Sequence, residues 1–125
     1  MQPATGLTVF DPILHRKRVR ALAGRLPALR LLAYLIGCVC DPDGWTWGLS
    51  YRRLSDELGI PHHRMGEALD ALAHAGVVID KRKDRDNSYL TNYRLDGYAY
   101  LGAEIVTSGE FPMRALRAPQ GDENG

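Results

Sequence analysis

Apolar residues recur in helical steps through the first three-fifths of the chain and in two-residue alternation after it. Leu29, Leu32, Ala33, Ile36, Val39 and Cys40 follow spacings of three and four and predict the core face of a helix that opens at Leu26-Pro27. Ahead of it, Asp11-Pro12 pairs a capping carboxylate with a first-turn proline and predicts a helix over about 12–24, stopped at Gly24. The turn-rich Asp41-Pro42-Asp43-Gly44 closes the second helix. Trp45 to Leu49 is short, aromatic and β-prone, and is expected to pair on the edge of a later hairpin to make three strands. Ser50 then caps a helix carrying Leu54 and Leu58, with only half of a capping box because Arg53 stands at its third position.

After Gly59-Ile60-Pro61 a further helix runs from about His62, with Met65, Ala68, Leu69 and Leu72 on one side and Gly76 past its end. Gly59 and Gly76 are expected in left-handed positions that close their helices. Val77-Val78-Ile79, the charged stretch Lys81–Asn87 and the return Tyr89–Leu95 read as a hairpin. Met1–Phe10 lacks a period and is expected to fray, as a flexible segment 1–10. Residues 11–97 form the expected domain. Residues 98–118 supply a further strand, a packing segment or a dimer contact, and 119–125 a disordered acidic tail. The fold class is mainly α with a small antiparallel β-sheet, that is, α+β.

Composition narrows the class. The 125 residues suit one domain, and 45% hydrophobic with 25% charged residues is ordinary for a soluble protein. The longest apolar run, Leu29–Cys40, is interrupted by Arg30 and falls short of the roughly 18 residues of a membrane span. No secretory leader pattern opens the sequence, so a cytoplasmic location is expected. Cys38 and Cys40 lie two apart, where neither a shared helix face nor an unstrained disulfide is available; buried free thiols and a reducing compartment are expected.

Net charge is only +1, yet its distribution is uneven. Residues 1–44 hold six Lys/Arg against three Asp/Glu, 45–95 hold eight against seven, and 96–125 hold two against five. Positive charge gathers at His15-Arg16-Lys17-Arg18-Val19-Arg20 and at Lys81-Arg82-Lys83.

The frame Leu54, Leu58-Gly59-Ile60, Met65, Leu69, Leu72, Gly76-Val77-Val78 and Tyr93-Arg94-Leu95 resembles the winged helix-turn-helix family of small bacterial and phage regulators. The resemblance covers about residues 28–95 and implies that fold, with an extra N-terminal helix. It further implies that the second helix of the pair enters the major groove of duplex DNA, presenting His62, His63, Arg64 and Glu67, with Gly66 permitting close approach. Arg64 would fork onto guanine, Glu67 would accept from cytosine N4, and the histidines would bond bases or phosphates. Tyr51, Arg52 and Arg53 would touch the backbone. Lys81, Arg82, Lys83 and Arg85 on the wing would lie along phosphates or in the minor groove. Pro61 departs from the family, where a capping Ser or Thr is usual at that position.

The competing readings are plainer. Adjacent His62 and His63 point apart on a helix and lack a spaced partner, so solvated side chains outweigh a metal site. The run 15–20 is a solvated face, a subunit contact or a DNA-backbone arm. Trp45 and Trp47 favour strand-edge packing over base stacking. No nucleophile–base set, carboxylate pair or phosphate loop stands out, so neither an enzyme nor a cofactor is expected. The expected function is a sequence-specific double-stranded DNA-binding regulator of repressor type, from a bacterium or mobile element, acting as a homodimer. A winged helix used for protein docking, or a plasmid or phage replication or partition protein, is the alternative.

Overall fold

The computed structural model describes residues 7–101 and 114–117. In chain order these form β1 (Leu7–Phe10), α1 (Pro12–Ala21), α2 (Leu26–Cys38), α3 (Tyr51–Leu58), α4 (His62–His74), β2 (Val78–Lys83), β3 (Thr91–Leu95), β4 (Tyr98–Leu101) and β5 (Arg114–Arg117). The architecture is α+β: four helices with two small antiparallel sheets, one ordered β4-β1-β5 and one a β2-β3 hairpin. No helix among the described residues is long and apolar enough to cross a membrane. The segment 102–113, residue 118 and the acidic stretch 119–125 lie outside the described residues, as do residues 1–6.

β1 is a departure from expectation. Residues 7–10 were expected to fray, but they pair with β4 from Leu7↔Leu101 to Phe10↔Tyr98, and with β5 on the other side. Val9 is fully buried and Thr8 nearly so, as are Tyr98, Ala99 and Leu101 opposite. Four residues are too few to show a period, and their partners stand about 90 to 110 residues away, so local pattern could not reveal them.

α1 begins as the sequence predicts. Asp11 accepts from the amides of Ile13 (2.9 Å) and Leu14 (3.4 Å), and Pro12 occupies the first turn. The helix ends at Ala21, three residues before Gly24. In α2 the buried face is Ala28, Leu31, Leu32, Leu35, Ile36 and Cys38, continued by Val39. Ala33 is exposed and Leu29 and Cys40 half-buried, so the expected face was rotated. The leucine-rich helix buries a stripe broader than one three-four progression, and Leu31 and Leu35 at its centre were missed.

Ser50 caps α3 through Arg53 N (3.2 Å), and Gly59 closes it at φ 65°. The Ser55 hydroxyl, buried under the turn, donates to the Ile60 carbonyl. α4 starts at His62 without a side-chain cap; the Pro61 carbonyl takes the Arg64 amide instead, at 2.8 Å. Met65, Ala68, Ala71 and Leu72 sink into the same core as Leu31, Leu35, Leu54 and Leu95.

Residues 45–49 do not make the expected continuous third strand. They touch β3 through isolated bridges, Trp45↔Arg94 and Leu49↔Thr91, with a further bridge from Thr46 back to Val39. The Thr46 amide donates to the Tyr93 carbonyl at 2.8 Å, and Leu49 and Thr91 exchange two bonds. Gly44 permits this crossing: at φ 92° it bonds the Leu95 amide, and a Cβ there would strike the backbone carbonyls of Leu95 and Tyr98.

Candidate nucleic-acid interface

The turn Gly59-Ile60-Pro61 folds the start of α4 against the start of α3. Tyr51 and His62 meet edge to face with ring centroids 4.9 Å apart. Gly66 lies beside this contact, and a Cβ there would meet the Tyr51 hydroxyl at 3.7 Å, an ordinary van der Waals distance. Arg52 is exposed beside Asp56 and His62 along a shallow depression. Arg53 is drawn the other way: its Nε donates to Glu57 at 3.3 Å, and Glu57 also accepts from the Tyr34 hydroxyl at 2.6 Å. That hydroxyl bond to Glu57, with burial second, pushes the Tyr34 phenol up to about 12, while Glu57 is held below the usual carboxylate range by the same bond. Arg53 remains 78% exposed, so the pair ties it only weakly.

The exposed side of α4 divides the candidate base-contacting residues. Steps of four, three and four place His63, Glu67, Asp70 and His74 along one solvent-facing row. His62 leans on Tyr51. Arg64 lies on the flank toward α2, where it lines a cavity of about 260 Å³ with Gly24, Arg25, Pro27 and Glu67. The four residues expected to act together thus face three directions, and the outermost row carries two carboxylates. Asp70 and His74 were not singled out from the sequence, although helical spacing from His63 marks them.

The hairpin shows its charge openly. Every residue of β2 from Ile79 onward is exposed, and Arg85 follows in the exposed turn. Alternation puts Lys81 and Lys83 on one face and Arg82 on the other. Arg82 lies over the Trp45 ring at 4.0 Å from its centroid, and its Nε donates to Asn92 Oδ1 at 3.3 Å. The Trp45 ring is therefore covered by a cation of the hairpin. Buried Asn92 donates onward to the Thr46 carbonyl (3.1 Å) and to Asp84 Oδ1 (3.0 Å).

Asp84 is occupied within the turn. Its Oδ2 accepts from the amides of Asp86 and Asn87, both at 3.1 Å; the Asn92 bond first, and these amides after it, hold its carboxyl below the usual range. Among the described residues no carboxylate pairs with Lys81, Lys83 or Arg85. Past the turn, Tyr89 stands 90% exposed, its amide bonded to Asn87 Oδ1 at 2.9 Å. It was read as part of the return strand; the strand begins two residues later, at Thr91.

The basic run 15–20 separates into two sets. Arg18 is buried and donates through Nη2 to Asp96 Oδ2 (2.8 Å) and the Gly76 carbonyl (3.0 Å), and through Nη1 to the Asp96 carbonyl. Its Nε is buried with no hydrogen-bond partner among the described residues. His15 Nδ1 shares a 2.8 Å bond with the Tyr98 hydroxyl, and its pKa is lowered by burial first and by Arg18 second. Arg16, Lys17 and Arg20 remain exposed. Two of the five basic side chains in what reads as a surface run are thus fastening, a distinction that charge pattern alone does not carry.

Both cysteines are free thiols. Burial pushes Cys38 up to about 12 and raises Cys40 as well. Among the described residues no group of His, Cys, Asp and Glu is placed to hold a metal ion. Neither a family model, nor a curated protein, nor a solved structure matches this chain.

Proposed function

We propose that the chain binds double-stranded DNA as a winged helix-turn-helix module and regulates transcription by occupying a site, as a repressor does. One observation carries the reading. The starts of α3 and α4 meet at Tyr51 and His62, and the hairpin that follows presents Lys81, Lys83 and Arg85 without a carboxylate partner among the described residues. A helix pair with exposed Arg52 and His63 at its tip, followed by a basic hairpin, suits the groove and flanking phosphates of a duplex. Occupancy needs no cofactor. Two-fold sites are usual for such modules, so the active form would be a homodimer, working in the cytoplasm.

A second reading has its own observation. The outer row of α4 carries Glu67 and Asp70, which repel phosphate, and this favours a winged helix that docks on a protein. A DNA-binding role in plasmid or phage replication or partition shares the first reading's surface. Fluorescence anisotropy with a duplex from upstream of the gene and a shuffled duplex, each across a salt series, separates the classes. Salt-dependent binding with preference for the upstream duplex is the expected result. Weak binding without preference at low salt would move the chain to the docking class.

A further inference from the structure

We infer that the cavity between the start of α2 and the flank of α4 is a backbone clamp that grips one phosphodiester through Arg25 and Arg64. The inference rests on the duplex-binding reading and changes the part Arg64 plays in it. The cavity is about 260 Å³, and both arginines line it with Glu67, over a floor of Pro27, Ala28, Ala68 and Ala71.

Neither guanidinium has a hydrogen-bond or ion-pair partner among the described residues, unlike Arg18, Arg30, Arg53, Arg82 and Arg94. Arg16, Arg20, Arg52 and Arg85 also lack one there, but none of these shares a cavity with a second arginine. Both stand exposed, Arg64 on α4 and Arg25 at the residue that precedes α2, and both helices are packed through the core. Small side chains on the floor leave space for a sugar, and forked N–H donors from two sides match the geometry of phosphate oxygens.

The charge balance selects the ligand. Two arginines against Glu67 leave one net positive charge, which fits the single negative charge of a phosphodiester better than a doubly charged terminal phosphate. A clamp of this kind carries no sequence information, so Arg64 positions the protein and does not read guanine. Recognition on α4 then falls to His63 and its neighbours on the solvent-facing row.

The test is the salt dependence of anisotropy for wild type, Arg25→Ala, Arg64→Ala and Glu67→Gln, on the upstream and the shuffled duplex. Each arginine variant should flatten the slope of log K against log salt by about 1 and weaken both duplexes alike, roughly tenfold at low salt. Glu67→Gln should tighten both. Circular dichroism verifies that each variant is folded. Should wild type bind steeply while Arg25→Ala keeps the full slope, the clamp is wrong and the duplex reading stands. Loss of preference in Arg64→Ala with an unchanged slope would return Arg64 to base reading and also overturn the clamp. If wild type binds neither duplex at any salt, both readings fall together.

Discussion

The outer faces of α1 and α4 invert what their sequences suggest. α4, the helix that the proposed function sets against a duplex, turns His63, Glu67, Asp70 and His74 to solvent. α1, outside the frame that resembles a winged helix, turns out Ile13, Arg16, Lys17 and Arg20 and no carboxylate. The two are also fastened differently. α4 is held by apolar burial, with Met65 and Leu72 wholly enclosed, while α1 is pinned by a polar clamp of Arg18 on Asp96 and Gly76 and of His15 on Tyr98. The lesson is that charge along a chain says little about charge toward a partner until the anchoring residues are subtracted. Once Arg18 is removed from the basic run, a stripe of three cations is left on one face of α1.

The contrast in fastening predicts the largest effects. Leu72→Ala would open a cavity where α4 meets the core and should cost about 2–5 kcal/mol in denaturant unfolding. A loss under about 1 kcal/mol would mean that α4 does not depend on this contact. Arg18→Met keeps much of the buried volume but ends the bonds to Asp96 and Gly76; about 1–3 kcal/mol should be lost. Its neighbour Arg20→Met, on the exposed face, should stay within about 0.5 kcal/mol. Equal losses for the two arginines would erase the division drawn within the run. On the binding side, Glu67→Gln with Asp70→Asn removes the acidic row of α4 and should tighten every duplex, by about 0.2–1 kcal/mol for each charge removed. Unchanged or weaker DNA binding would favour the docking reading, in which those carboxylates face a protein.

Legibility followed the range of the interaction. The cap at Asp11, the cap at Ser50, the glycine that ends α3 and the buried side of α4 were all readable, because each is decided within one or two helical turns. What escaped was set by distant partners. β1 depends on Tyr98–Leu101, and the path of residues 45–49 depends on how Gly44 and Thr46 bond to β3. Arg18 is buried by Asp96, seventy-eight positions away. The candidate site divides the same way. Exposed Lys81 and Lys83 stand where alternation puts them and Arg85 in the turn beyond, while Arg82 is bound to Trp45 and Asn92 by contacts no local pattern shows. The groove that joins Arg25 to Arg64 is likewise visible only once α2 and α4 are packed together.

The smallest effect sharpens the comparison through pH. Burial and the neighbouring Arg18 hold the His15 pKa below its ordinary value of 6.5, so the folded chain resists a proton that the unfolded chain accepts. The stability His15 supports is therefore complete above pH 6.5 and declines as pH falls through that value toward the folded pKa. The ring is half-buried rather than enclosed, which keeps the effect modest. Protonation would place a cation beside Arg18 and leave Nδ1 able only to donate in its bond with Tyr98, loosening α1 while the apolar seat of α4 is untouched. Thermal melts of wild type and His15→Gln at pH 8 and pH 5.5 read this directly, since every other residue is common to both proteins. Wild type should hold its larger advantage at pH 8 and lose part of it at pH 5.5. An advantage that stays constant across that interval would show that the His15 proton has no part in fastening α1.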